Sequence, residues 1–299
     1  MSKIPFHIIS GFLGSGKTTF LKRIIENYAG EYKIGIIQNE FAPVNIDGVE
    51  LKNSGKDFEL LEINNGSVFC VCLLGDFVRS LEKFIDKHKP EMLIIEASGL
   101  SDTTSVAEVV SSGSLSEKIY LASNWCIVDA INFGRVGFMQ QRVFHQIRMA
   151  DFVVINKTDL IKDGTETLQI EIKKMNPFAK IIESSFCNFE FGLGNKTLNK
   201  LYFGEMKTLP RPEINSMVIK TTRKVKYELL VDFLTFWAAK SFRIKGFVNL
   251  ADNTVCAVQC VFDKIQIQQV DPGFFPTELV ALTENFTLRE WNKAFRELC

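Results

Sequence analysis

The residues Gly11 to Thr18, "GFLGSGKT", fit the pattern G-x-x-x-x-G-K-[ST] at every specified position. That pattern is suited to holding phosphate. Gly11, Gly14, Ser15 and Gly16 form a loop whose backbone N–H groups can wrap around phosphate oxygens. A helix opening at the end of the loop adds the favourable charge of its N-terminus. Lys17 is expected to contact the β- and γ-phosphates. Thr18, followed by Thr19, is expected to ligate Mg²⁺ through its hydroxyl. An apolar run before the motif and a helical stretch after it argue against a chance glycine-rich turn.

About 140 residues downstream, "NKTD" (Asn156 to Asp159) closes the apolar run "FVVI". In open parallel sheets ligands bind at the carboxyl ends of strands. A carboxylate there accepts both the N1–H and the 2-amino group of guanine, whereas adenine offers neither donor. Asn156, Lys157 and Asp159 are therefore expected to bind the base, with Asp159 selecting GTP or GDP over adenine nucleotides. A third stretch, "LIIEASGL" (Leu93 to Leu100), brings Glu96 beside the Mg²⁺ and the backbone of Gly99 to the γ-phosphate. Loss of that phosphate would release the loop, which is switch behaviour. The alternative is an ordinary strand-to-helix turn.

"NNGSVFCVCLLGDF" (Asn64 to Phe77) carries Cys70 and Cys72 one residue apart. Two thiolates suit soft or borderline ions such as Zn²⁺. At i and i+2 on a regular strand they would share one side. Cysteine is also among the most often buried residue types, and the run is uniformly apolar, so core packing is the competing account. The chain has seven cysteines in all, an odd and scattered set, which favours a reducing compartment over a disulfide framework. Cys256 and Cys260 are expected to pack in a core on one face with Val258 and Phe262. His7 falls in the first strand, and His88 and His145 stand isolated on helices.

These motifs must be carried by strands and helices in alternation. Strand-like runs are predicted at Phe6–Ser10, Lys33–Gln38, Met92–Glu96, Trp125–Asp129, Phe152–Asn156 and Lys180–Glu183. Helical periodicity is predicted at Thr18–Tyr28, Phe77–His88, Phe138–Met149 and Thr165–Asn176. Apolar strands separated by helices imply a mostly parallel sheet covered on both faces. "LPRP" (Leu209 to Pro212) breaks the pattern and suggests a linker at 209–213 between domains at 1–208 and 214–299. Beyond it, strands bunched between two helices suggest a smaller α+β domain.

The 299 residues contain 35 basic and 35 acidic side chains, so no net field favours nucleic acid or an anionic membrane. No apolar run approaches the length of about 20 residues that a membrane span needs. The N-terminal stretch runs directly into the phosphate motif and is expected to be structural. A cytoplasmic location follows as the expectation.

Taken together, "GFLGSGKTT", "QNEFAPVNID" (Gln38 to Asp47), "EASGLSD" (Glu96 to Asp102), "IVDA" (Ile127 to Ala130) and "NKTDL" resemble the CobW family of P-loop GTPases. "RIKGFVNL" and the closing "ELVALTENFTLREWNKAFRELC" are similar to that family's C-terminal domain, so the resemblance covers nearly the whole chain. It implies a GTPase that binds a transition metal, zinc or cobalt, and passes it to a client metalloprotein or corrinoid protein, and it is compatible with a homodimer. It also implies roles for Glu40 as a metal ligand and for Asp47 as a switch acid near the Mg²⁺ and γ-phosphate. Lys17, Asp47 and Glu96 are then the candidate catalytic residues. Solvated loop acids remain the alternative for Glu40 and Asp47. Family members typically carry a C-x-C-C hook after "NG". Here Ser67 holds the first cysteine position, and Cys70 and Cys72 give only C-x-C. Two functions are compatible with that departure. One is a slow GTPase coupling nucleotide state to metal delivery. The other is a GTP-dependent activator of a metallo- or corrinoid-enzyme that binds no metal itself.

Overall fold

The computed structural model describes residues 3–40, 58–64, 74–97, 103–111, 113–135, 140–162, 164–190, 192, 215–271 and 275–298. The first region is a seven-stranded sheet of β1 (Ile4–Gly11), β2 (Ile34–Glu40), β3 (Glu59–Asn64), β4 (Met92–Glu96), β5 (Ile119–Asp129), β6 (Phe152–Asn156) and β7 (Lys180–Glu183). Its order is β3-β2-β4-β1-β5-β6-β7, with every pairing parallel. Helices α1 (Lys17–Tyr28), α2 (Leu74–His88), α3 (Thr103–Val110), α4 (Leu115–Lys118), α5 (Gln140–Met149) and α6 (Glu166–Met175) connect the strands. β4, β5 and β6 are buried along their whole length, as central strands of a doubly covered parallel sheet must be.

Three elements differ from the sequence expectation for identifiable reasons. β3 is an edge strand whose "ELLEIN" alternates with glutamates, so it lacks the continuous apolar run of its neighbours. β5 reaches back from Trp125 to Ile119 through Ser123 and Asn124, polar residues that are nonetheless buried. Ser123 Oγ accepts from Trp125 Nε1 at 2.8 Å and lies 2.7 Å from His7 Nδ1, so His7 belongs to the core network. α3 is built from "TTSVAEVV", whose β-branched residues favour strands. Burial of Val106, Ala107, Val109 and Val110 against the sheet overrides that preference.

The second region is an antiparallel sheet in the order β11-β10-β9-β12-β8. Its strands are β8 (Asn215–Thr221), β9 (Arg243–Asn249), β10 (Val255–Val261), β11 (Lys264–Val270) and β12 (Thr277–Thr283), accompanied by α7 (Tyr227–Ala238) and α8 (Leu288–Arg296). α8 opens with a capping box, in which Thr287 and Glu290 satisfy each other's backbone N–H groups. Cys256, Val258 and Cys260 share the face packed on α7 and α8, as expected. Phe262 does not join them, because β10 ends at Val261 and Phe262 turns the β10–β11 hairpin with φ of 53°.

The opposite face of this sheet packs on the first region: Val218, Phe247, Ala257 and Val280 join a core with Val106, Leu121 and Met149. Polar contacts within the seam are specific. Asp151, buried at the start of β6, is ion-paired to both Arg243 and Lys245 of β9. His145 is not isolated. Its Nε2 lies 2.7 Å from Glu278 Oε2 on β12, and Lys220 meets the other Glu278 oxygen at 3.2 Å. The Arg148 guanidinium stands 4.1 Å over the Phe247 ring. Among the described residues no helix is long and apolar enough to cross a membrane.

Burial alone would raise the pKa of Asp151, but the Arg243 and Lys245 charges outweigh it and lower the value to about 2. The unfolded chain therefore binds this proton first on acidification. The stabilisation is complete above pH of about 4 and is lost as pH falls towards 2, amounting to about 2 kcal/mol. Asp151→Ala, which strands the buried Lys245 and the partly buried Arg243, should cost ~3–5 kcal/mol at neutral pH and flatten this acid limb in denaturant titrations.

Candidate functional site

The carboxyl ends of β1, β4, β5 and β6 converge on one edge of the parallel sheet, and the phosphate loop leaves β1 there. Gly11 adopts φ of 141°, and a Cβ at that position would lie 2.3 Å from the Ile127 carbonyl oxygen. Gly16, with φ of 109°, caps α1, and a Cβ there would lie 2.3 Å from Asn156 Nδ2. Only glycine allows this close approach of loop and strand. Lys17 is buried, with its ammonium 3.3 Å from the Phe12 carbonyl across the loop. Ser15, within the loop, is fully buried.

Thr18 and Glu96, the candidate Mg²⁺ residues, meet at this edge. Thr18 Oγ1 donates to Glu96 Oε1 at 3.1 Å, and Gln38 Nε2 donates to Glu96 Oε2 at 3.3 Å. A threonine hydroxyl beside a largely buried carboxylate is a hard-oxygen pair of the kind Mg²⁺ takes in phosphate sites. Thr18 and Glu96 would hold the ion, directly or through water. Gln38, which sequence reasoning did not single out, pairs with Glu96 in the β2–β4 register and orients its carboxylate.

Asn156 ties the base end to the phosphate end. Its Nδ2 donates to the Ser15 carbonyl at 2.9 Å, and its Oδ1 accepts from the Cys187 N–H at 3.0 Å. Lys157 adopts φ of 66° and sends its ammonium 2.7 Å from Asp129 Oδ2. Burial opposes ionisation of Asp129, but Lys157 and donors from Asn132 and Ile131 prevail and hold its carboxyl below the usual range. Asp159 is exposed, and its N–H donates to Ser185 Oγ at 3.1 Å. The loop after β7, Ser184 to Cys187, thus packs beside the candidate base-binding segment. Sequence reasoning quoted Asp129 within "IVDA" without giving that residue a role. It missed Ser185 and Cys187, because "SSFC" follows no phosphate or base pattern. The one available signal was its position directly after a strand of the same sheet.

Asp47, Cys70, Cys72 and Gly99 lie outside the described residues. Glu40 is described through its backbone, as the last residue of β2, and is paired with Asn64 of β3. Among the described residues no group of three or more His, Cys, Asp or Glu side chains could hold a metal ion.

Such a site, on a parallel sheet with an antiparallel domain behind it, defines a P-loop nucleotide-binding protein. The chain belongs to the CobW family of GTPases. Residues 5–183 match the family described as CobW/HypB/UreG, nucleotide-binding domain, and residues 214–299 match the Cobalamin synthesis protein cobW C-terminal domain. It is similar to the zinc chaperone CobW of a Sinorhizobium species, 32% identical over 199 residues, covering 57% of this chain and 55% of that protein. It is also similar to the zinc-regulated GTPase metalloprotein activator 1 of Schizosaccharomyces pombe, 28% identical over 198 residues, covering 62% and 47%. The chain thus spans about half the length of these curated relatives. The crystal structure of the Zn(II)-bound YjiA GTPase from E. coli aligns over 100% of both chains with a TM-score of 0.50 at 22% identity.

Gly16→Ala should drive a methyl into the Asn156 amide and abolish nucleotide binding, read by titration with a fluorescent GDP analogue. Asn156→Ala should weaken it at least tenfold, since the phosphate loop and the loop after β7 lose their common tie.

Proposed function

We propose that this protein binds GTP and GDP, hydrolyses GTP slowly, and uses the nucleotide state to control transition-metal binding and transfer to a client metalloprotein. The observation that carries the coupling is the strand register at the sheet edge. Gln38 of β2 is opposite Glu96 of β4, and two residues on, Glu40 is opposite Asn64 of β3. Asn64 leads directly into the segment bearing Cys70 and Cys72, so the backbone of β2 runs from the Mg²⁺ carboxylate to the base of the cysteine hook. A change in the β2 end on loss of the γ-phosphate would reshape both sets of ligands.

Asp159 selects guanine through its carboxylate, the loop amides and Lys17 hold the phosphates, and Glu96 with Thr18 holds Mg²⁺. Bound Mg²⁺ supplies charge neutralisation at the β- and γ-phosphate oxygens. Gly99 meets the γ-phosphate through its backbone, and Asp47 acts as the switch acid. The metal is cargo. Two thiolates and Glu40 leave its shell incomplete, and an open shell suits release better than a closed four-ligand site. The zinc chaperone and activator relatives support this choice of cargo. An activator that binds no metal of its own is the second reading, favoured by Ser67 at the first hook position.

Asp159→Asn should weaken GDP binding about a hundredfold and improve xanthosine diphosphate, whose 2-oxo group accepts from the new amide. Hydrolysis by the protein alone should run on the order of 10⁻⁴–10⁻² s⁻¹. Zn²⁺ and Co²⁺ affinities should differ at least fivefold between the GDP form and a non-hydrolysable GTP form, and linkage requires the reciprocal effect on nucleotide affinity. Equal affinities in the two forms would remove the coupling. Unchanged Zn²⁺ affinity in the Cys70→Ala, Cys72→Ala double variant would remove the hook.

A further inference from the structure

We infer that Phe186 is a base-contacting residue that lies over the ring face of the bound guanine and sets much of the nucleotide affinity. The inference rests on the guanine-nucleotide reading of the site and adds to it a contact that no sequence motif marks.

Among the described residues, six other than glycine have positive φ: Lys89, Lys157, Phe186, Cys187, Asn253 and Phe262. Three have ordinary causes. Lys89 follows the last turn of α2, where a left-handed residue commonly ends a helix. Phe262 occupies the hairpin turn between β10 and β11, and Asn253 the short turn before β10. The remaining three all stand at the base site. Lys157 belongs to the base motif itself, and Phe186 and Cys187 are consecutive, at 56° and 50°. A bulky side chain in this region is strained, and such strain clusters where a ligand is bound.

The strain has a clear geometric result. Cys187 is turned inward, its N–H on Asn156 and its thiol 3.5 Å from the Gly16 carbonyl under the phosphate loop. Ser185 on the other side holds the Asp159 amide and stands 3.0 Å from Thr158 Oγ1. Phe186 therefore sits in the chain between two anchored residues, Ser185 tied to the Asp159 amide and Cys187 tied to Asn156 and Gly16. Its side chain is left 66% exposed, although it is one of the largest apolar groups in the region. A flat heteroaromatic ring bound against Asp159 would cover it. Aromatic stacking is tolerant of base identity, so Phe186 supplies affinity while Asp159 supplies the choice of guanine.

The test compares Phe186→Ala, Phe186→Gly and Phe186→Trp in the full chain, using GDP, ADP and inorganic pyrophosphate, each with Mg²⁺. The Ala and Gly variants should bind GDP roughly five- to a hundredfold more weakly. Their pyrophosphate affinity should stay within twofold of wild type. Phe186→Gly should keep or raise the ligand-free melting temperature, because glycine adopts this φ without strain. Phe186→Trp should retain affinity and show a drop in emission on adding GDP, absent with pyrophosphate and larger than any change in the wild-type protein. Unchanged GDP affinity in both small variants would overturn the inference. So would parallel losses for GDP and pyrophosphate, which would make Phe186 a loop support only. Wild-type protein that binds ADP as tightly as GDP would refute guanine selection, yet equal losses for both nucleotides in Phe186→Ala would leave the stacking contact standing. Absence of any nucleotide binding would overturn both.

Discussion

One buried amide, that of Asn156, connects the parts of the nucleotide site. Its nitrogen binds the phosphate loop at Ser15, and its oxygen binds the loop after β7 at Cys187. A single planar group with a donor and an acceptor at fixed separation thus sets the distance between the phosphate loop and the loop after β7. Gly16 lacks a Cβ because this amide occupies the space a methyl would need. The left-handed turns at Lys157, Phe186 and Cys187 are all gathered around the same tie. A buried amide left half-satisfied costs ~1–3 kcal/mol, so this arrangement is enforced rather than merely permitted.

The same sheet edge carries the residues to which the proposed function assigns metal. Parallel pairing aligns the carboxyl ends of β1, β4, β2 and β3 side by side. The phosphate loop, Glu96, Gln38 with Glu40, and the start of the cysteine segment therefore follow one another across four neighbouring strands, that is three strand spacings of roughly 5 Å each. The proposed coupling of phosphate to the hook therefore needs no long-range signal, only neighbouring strands of one sheet.

The C-terminal sheet contributes through a seam that mixes apolar packing with desolvated charge. Val218, Phe247 and Val280 supply the burial, while Asp151 with Arg243 and Lys245, and His145 with Glu278, supply specificity of docking. Burial lowers the Lys245 pKa to about 8, against the pull of Asp151, so this charge is retained at a cost. α3 lies in the same seam. Ser111 at its end bonds Ser216 of β8, and Thr104 approaches His145. The helix that follows the 98–102 segment is thereby held by the second domain as well as by the first.

The sequence by itself determined the phosphate-loop pattern and the alternation that makes a parallel sheet, and it marked Asp159 as the candidate guanine carboxylate and Thr18 with Glu96 as the candidate Mg²⁺ pair. Each is a local pattern whose chemistry depends on residue type and short spacing. It also determined that Cys256 and Cys260 belong to a core, since period-two alternation is read directly from a strand. Only the tertiary structure decided the contacts of Gln38 with Glu96, of Asp129 with Lys157, and of Ser185 and Cys187 in the loop after β7 with Asp159 and Asn156, because each joins residues far apart in sequence. It likewise took His145 from an apparently isolated helix position to a buried partner of Glu278, 133 residues away. β3 and α3 escaped the sequence for the same reason. An edge strand with glutamates and a helix of β-branched residues are set by what packs on them, and packing is a property of the whole sheet.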